Sequence, residues 1–166
     1  MRDEAAFDGF YRATVPRMLL YMYAVCGDRT EAQDLTQEAY ARAWQRWSQV
    51  GTYDDPEAWV RTVAWRLAAS QFRSARRRVT ALIRLGRPDP APPPSADAVA
   101  VLAALRRLNR DQRGAIVMHY LQHMSVAEIA SASGVAEGTV KARLSRGRTA
   151  LAPLLADATG EAPDVR

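Results

Sequence analysis

Cysteine, lysine and histidine are almost missing from this chain of 166 residues: it has one Cys, one Lys and two His. A single cysteine, Cys26, cannot close an intrachain disulfide, which points to a reducing compartment. Near the end of an apolar helix it reads as a small buried hydrophobe. His119 and His123 stand four apart on a helical stretch, but no Cys, His or carboxylate follows at a third ligand's spacing, so no metal site is expected. No apolar run reaches the roughly 20 residues of a membrane span. Met1-Arg-Asp-Glu does not open a secretory signal, so the expectation is a cytoplasmic protein with no membrane association. Strand-like alternation is absent, which leaves an all-α chain. There is no glycine-rich phosphate loop, nucleophile triad or paired-carboxylate motif, so neither an enzyme nor a cofactor is expected.

What is present is arginine, unevenly placed. Residues 1–57 carry ten acids against six Arg, a net −4, whereas residues 58–88 carry eight Arg and no acid. Residues 138–156 again have no acid and hold Lys141, Arg143, Arg146 and Arg148. Two separated acid-free basic blocks suggest two contacts on one polyanion, and the acidic front suggests a protein partner. The preference for Arg over Lys, with abundant Ala, fits a GC-rich bacterial genome.

Glycine and proline divide the helical periodicity. A first helix is expected from Asp3 to Val25, with Phe7, Phe10, Tyr11, Met18, Leu19 and Met22 inward, kinked or divided at Pro16 and ended by Gly27-Asp28. A second is expected from Thr30, capped with Gln33, to about Trp47. Its wheel puts Glu31, Asp34, Glu38, Arg42 and Gln45 on one polar stripe, with Ala32, Leu35, Ala39, Tyr40, Ala43, Trp44 and Trp47 on the core side. Asp55-Pro56 is an N-cap followed by proline at the first helical position. It opens a helix to about Arg78 with Trp59, Val63, Leu67 and Phe72 inward.

Five prolines between Pro88 and Pro94 cannot support a helix. Residues 81–96 are therefore expected to be a linker; as polyproline II, Pro88 to Ala96 would span roughly 28 Å at about 3.1 Å per residue. It separates a first domain, 1–80, from a second, 97–156, with a frayed tail at 157–166. The second domain should hold helices near Asp97–Leu108 (Asp97 as N-cap), Arg110–Gln122 (capped by Asn109 with Gln112), Val126–Ser133 and Glu137–Leu155.

The last two form a helix-turn-helix. Ser125 and Glu128 make a capping box. Val126, Ile129 and Ala130 face inward, with Ala130 small where the helices approach. Gly134 supplies a positive φ at the turn, and Val135 and Val140 plug the second helix onto the first. If Val140 and Leu144 face inward, positions 138, 141, 142, 145 and 146 lie on the outer face. Short side chains at Gly138, Ala142 and Ser145 would let this helix sit deep in a major groove, with Gly138 and Thr139 at the helix entry. Lys141 and Arg146 would then reach base edges, while Arg143 and Arg148 hold phosphates from the flanks.

Four blocks, in order, carry a family resemblance: FDGFYRATVPRMLLYMYAVCGD, EAQDLTQEAYARAWQRW (31–47), DDPEAWVRTVAWRLAASQFRSARRR (54–78) and LRRLNRDQRGAIVMHYLQHMSVAEIASASGVAEGTVKARLSRGRTAL (105–151). Together they resemble a bacterial RNA polymerase sigma factor of the extracytoplasmic-function (ECF) type, in the sub-type of high-GC actinobacteria. The resemblance implies that residues 1–80 are sigma region 2 and residues 97–156 are sigma region 4. It implies core RNA polymerase and promoter DNA as partners, and an anti-sigma factor as a further one. By the same resemblance Glu31, Asp34, Gln37, Glu38 and Arg42 would dock on the polymerase clamp. Arg61, Arg66, Ser70, Gln71 and Arg73 would face the −10 element, with Arg76, Arg77 and Arg78 on phosphates at its upstream edge. The family usually has Asn where this chain has Arg66. An amide both donates and accepts, whereas Arg only donates, so the −10 preference of this chain should depart from the family's.

A stand-alone helix-turn-helix regulator is the alternative. It would need a dimerisation surface to read paired half-sites, and the chain has no coiled-coil heptads. It would also leave the acidic stripe and the first arginine block without a role.

Overall fold

The computed structural model describes residues 2–78 and 96–159, with side chains at 4–71 and 98–156. The chain divides into two compact units, Met1–Pro88 and Asp89–Arg166. Among the described residues there are helices and turns and no strand. The expected linker falls on 79–95, outside the described residues.

The first unit holds α1 (Arg2–Cys26), α2 (Arg29–Gln45), a one-turn α3 (Trp47–Val50) and α4 (Pro56–Arg78). α1 packs on α2, and α4 packs on both. Met18, Met22 and Val25 of α1, Leu35 and Tyr40 of α2, and Val60 of α4 are buried. Ala32, Ala39, Ala43, Ala64 and Ala68 are buried among them, and their small size allows close helix approach. The Thr14 hydroxyl donates to the Phe10 carbonyl at 2.7 Å and shares a hydrogen bond of 2.7 Å with the Tyr40 hydroxyl. Burial pushes the Tyr40 phenol up to about 12, so it stays neutral in the core at ordinary pH.

Several local expectations change. Pro16 does not divide α1, which runs from Arg2 to Cys26: it lies on the exposed side, where the carbonyl freed four residues earlier can bond to water. Asp28, read as the end of the first helix, is the N-cap of α2, accepting from the Glu31 amide at 2.8 Å in place of the Thr30–Gln33 pair. α2 ends at Gln45 because Arg46 leaves the helical region, at φ −121° and ψ 20°, so Trp47 is buried from the separate α3. Trp44, read as core, is 47% exposed. The first turns of α1 cover one side of its indole, through Phe7 at 5.0 Å between ring centroids, and leave the other side in solvent. Along α4 the buried face is Val60, Ala64, Trp65, Ala68 and Ala69, while Trp59, Val63 and Leu67 are half-buried flanks. Ala64, Ala68 and Ala69 share the buried face with Val60 and Trp65, and the other large residues lie to its sides. Phe72 lies outside the described side chains.

The second unit holds α5 (Ala96–Arg107), α6 (Arg110–Ile116), a π-helical turn (Val117–Leu121), α7 (Val126–Ser133) and α8 (Glu137–Thr159). α8 is the hub, with α5, α6 and α7 all packed on it. Leu105, Ile116, Val117, Met118, Ile129, Val140 and Leu144 are buried. Asn109 caps α6 from the Gln112 amide at 2.9 Å, as expected. Asp97, expected as an N-cap, lies inside the first turn of α5. The single helix expected over 110–122 switches to π geometry at Val117, where the Gln122 amide bonds back five residues to the Val117 carbonyl at 3.1 Å. α8 continues past Leu155 through the exposed Pro153 to Thr159, so the first residues of the expected frayed tail are helical.

Gly147 gives α8 its closest approach to α6. A Cβ there would lie 2.9 Å from Ile116 Cγ1 and 3.2 Å from its Cδ1, and Ile116 is buried, with Cγ1 rather than the free end of its side chain in the way. Gly147→Val is therefore expected to destabilise this unit by about 1–3 kcal/mol through overpacking. All four tryptophans, at 44, 47, 59 and 65, lie in the other unit. Chemical denaturation followed by far-UV circular dichroism should resolve the loss, while the tryptophan-detected transition stays in place.

Candidate nucleic-acid interface

The helix-turn-helix is built from local capping. Ser125 Oγ accepts from the Glu128 amide at 3.2 Å, and the Glu128 carboxylate accepts from the Ser125 amide at 2.8 Å, a reciprocal box that fixes the start of α7. Gly134 ends α7 in the left-handed region, at φ 66° and ψ 38°, where no Cβ strains the turn. Val135 then returns its amide to the Ala130 carbonyl at 3.1 Å. Val140 and Leu144 are buried against the rest of the unit.

That orientation leaves Gly138, Thr139, Lys141, Ser145, Arg146 and Arg148 exposed on α8, with Ala142 and Arg143 half-buried at the margins. A Cβ at Gly138 would meet nothing within 4 Å, so the N-terminal end of the helix presents open backbone. The cations are not equivalent. Arg143 Nη2 donates to Asp111 Oδ2 of α6 at 2.8 Å, which offsets its charge. Arg148 Nη1 donates to the Tyr120 hydroxyl of the π turn at 3.2 Å and keeps its charge. Lys141 and Arg146 take part in no ion pair among the described residues. Sequence reasoning did not find Asp111 or Tyr120, because both reach α8 across long sequence separations that no local pattern reports.

On α4, Asp55 accepts from the Ala58 amide at 2.9 Å and opens the helix as expected. Arg66, Ser70 and Gln71 are exposed. Arg61 is not brought to the same side. At about 100° per residue it stands roughly opposite Ser70. Its guanidinium bonds Asp55 Oδ2 at 3.0 Å and lies 3.6 Å from Glu57 Oε1. Arg17 Nε donates to the same Glu57 carboxylate at 3.0 Å, so Arg61 belongs to a half-buried charge network tying α4 to α1. Arg73, Arg76, Arg77 and Arg78 continue α4, and their side chains lie outside the described ones.

The stripe on α2 is where the wheel put it. Asp34, Gln37, Glu38 and Arg42 are exposed and Glu31 is half-buried. Arg42 Nε donates to Glu38 Oε1 at 2.7 Å, one turn apart. Among the described residues no group of three His, Cys, Asp or Glu could hold a metal, and no helix is long and apolar enough to cross a membrane. His119 Nδ1 lies 2.9 Å from the Met124 carbonyl oxygen, a local tie across the turn.

Two all-α units, one presenting a basic helix-turn-helix and the other an acidic helix stripe beside an arginine-bearing helix, define a DNA-binding transcription protein. Comparison with known proteins gives the family. The Sigma-70 region 2 family model matches residues 10–78, and the Sigma-70, region 4 model matches residues 98–151. The ECF RNA polymerase sigma factor SigL of Mycobacterium tuberculosis is 36% identical over 135 residues, covering 76% of each chain. The ECF RNA polymerase sigma factor BldN of Streptomyces coelicolor is 33% identical over 166 residues, covering 92% of this chain and 61% of its own. Among solved structures, the sigma factor RpoE of Bartonella quintana, crystallised with the anti-sigma factor NepR, matches with a TM-score of 0.69 at 28% identity, over 90% of this chain and 96% of that one. The chain belongs to the ECF sigma factors of the sigma-70 family, and is an RNA polymerase sigma factor.

Proposed function

We propose that this sigma factor divides promoter recognition and polymerase binding among three helices. α8 reads the −35 element with Lys141, Ala142, Ser145 and Arg146 from Gly138 and Thr139 onward, and Arg143 and Arg148 flank it. The outer side of α4, with Arg66, Ser70 and Gln71, takes single-stranded −10 DNA, and Arg73 with Arg76, Arg77 and Arg78 extends positive charge upstream. Arg61 positions α4 through Asp55 and Glu57. The α2 stripe of Glu31, Asp34, Gln37, Glu38 and Arg42 docks on core polymerase. Residues 81–96 link the region 2 and region 4 units. The protein acts in the cytoplasm by binding alone, without catalysis of its own. An anti-sigma factor, the class of partner seen with the Bartonella relative, is a further partner.

One observation carries this reading: α8 buries Val140, Leu144 and Gly147 and turns Lys141, Ser145 and Arg146 outward, a face with short side chains around two cations that pair with no acid among the described residues. Each DNA-binding surface is small, and joining both on one polymerase raises the effective concentration of the second contact. The purified chain is therefore expected to bind DNA weakly and without sequence preference, and to open promoters only with core polymerase. Transcription from a randomised promoter library, with and without core enzyme, tests this. Nanomolar sequence-specific binding to duplex DNA by the chain alone would favour the stand-alone regulator.

A further inference from the structure

The turn between α6 and α7 carries features that the helix-turn-helix itself does not require. Its backbone is π-helical over Val117–Leu121. His123 is the one non-glycine residue with positive φ among the described residues, at 54°, a conformation that surrounding contacts must hold in place. Two ties hold it: the Met124 amide donates to the Met118 carbonyl at 3.0 Å, and His119 Nδ1 lies 2.9 Å from the Met124 carbonyl oxygen. The result is one large side chain pushed outward. Tyr120 is 46% exposed and is steadied by the His119 ring, edge to face at 4.8 Å between centroids. Its hydroxyl accepts from Arg148 Nη1 at 3.2 Å.

A phenol hydroxyl both accepts and donates. With one lone pair engaged by Arg148 and the ring half exposed, its proton is free to donate to a second partner. The two groups then offer neighbouring donors of different kinds, one neutral and one cationic, which suits a phosphodiester oxygen pair. A carboxylate in place of Tyr120 would cancel the charge, as Asp111 does for Arg143. The phenol aims Arg148 and leaves the charge intact.

We propose that Tyr120 is a DNA-contacting residue of this sigma factor, donating from its hydroxyl to the backbone phosphate that Arg148 binds, so that the 117–121 turn and α8 grip one phosphate together. This rests on the reading of α8 as the −35 helix.

The test uses holoenzyme assembled from the full chain and core polymerase, on a promoter selected from a randomised library, with affinity measured across a salt series. Tyr120→Phe removes the hydroxyl and keeps the ring. It should weaken binding by roughly 10- to 150-fold, the effect of one hydrogen bond to a charged group, equally across −35 sequences. Because the phenol is neutral, the slope of affinity against salt should stay as in the wild type. Arg148→Ala should weaken binding and lower that slope by about one. The double variant should lose little beyond Arg148→Ala alone, since the two groups share a phosphate. Unchanged binding for Tyr120→Phe, with Arg148→Ala impaired, would overturn the proposal and leave the α8 reading standing. A drop in salt slope for Tyr120→Phe equal to that of Arg148→Ala would also overturn it, since Tyr120 would then act only by aiming the arginine. No effect of either variant would overturn the α8 reading itself. An unchanged melting curve for Tyr120→Phe separates these results from misfolding.

Discussion

Reversing the charge of Asp34 and Glu38 together, as Asp34→Arg with Glu38→Arg, is expected to abolish binding to core polymerase and leave the fold intact. Both side chains are exposed on α2, one turn apart, and the core side of that helix is filled by Ala32, Leu35, Ala39, Tyr40 and Ala43. Neither carboxylate supports the packing. Glu38 has one local partner, Arg42, at 2.7 Å with both side chains about half exposed. An exposed pair spaced i,i+4 contributes only a few tenths of a kcal/mol. The double change keeps one like-charge repulsion between these positions and puts a second beside Arg42, each worth a few tenths of a kcal/mol, so the helix loses less than about 1 kcal/mol. At a polymerase surface the effect is large. Two acids become two bases, so attraction becomes repulsion, and like charges brought together at an interface cost several kcal/mol. A pull-down with core enzyme should fall below detection while the melting temperature moves by only about a few degrees. The docking assignment fails if binding is undiminished, or if the double variant melts much earlier.

The order of helices, the two units and the helix-turn-helix were legible because each rests on local chemistry. The Ser125–Glu128 box, the left-handed Gly134, the Asn109 cap and Asp55-Pro56 are short-range signals, and each appears where the sequence put it. The misreadings have a common cause. Asp28 and Thr30 are both good caps, and which one wins depends on where Gly27, at φ 73°, releases the chain. Trp44 completes an apolar wheel, but the wheel does not know how far the first turns of α1 extend over it. The buried face of α4 is rotated from the expected one, to Val60, Ala64, Trp65 and Ala68, with Trp59, Val63 and Leu67 on its flanks, because packing against α1 and α2 and not the wheel alone decides which stripe is covered. The π turn has no sequence signature, and it moves Tyr120 and the whole approach to α7. At the candidate interface, spacing gave the outward face of α8. It could not show that Asp111 would engage Arg143 and Tyr120 would engage Arg148, which sort the cations into different roles.

That sorting leads to the second large effect: Arg146→Ala is expected to change which −35 sequences are transcribed, whereas Arg148→Ala weakens them all alike. Arg146 lies on the outer face of α8, five residues from Lys141, and pairs with no acid among the described residues. Its neighbours on that face are Ala142 and Ser145, whose short side chains would let the helix backbone approach the base pairs in the proposed docking. A guanidinium so placed can bond two acceptors of a guanine edge, a contact worth about 1–3 kcal/mol of discrimination against the wrong base. Converted at about 1.4 kcal/mol per factor of ten, its loss should shift relative promoter use by roughly 5- to 150-fold at one position. Arg148 sits two residues further on and is turned toward Tyr120; in the proposed docking of α8 it meets the backbone and not a base edge. Removing it deletes one phosphate contact, so affinity should fall for every sequence and its salt dependence should flatten by about one unit of slope. Arg143 is already engaged by Asp111, so Arg143→Ala should have the smallest effect of the three. Sequencing transcripts from a library randomised across the −35 element measures all three at once. The assignment fails if Arg146→Ala and Arg148→Ala give the same uniform loss, because α8 would then be held on the DNA without reading it.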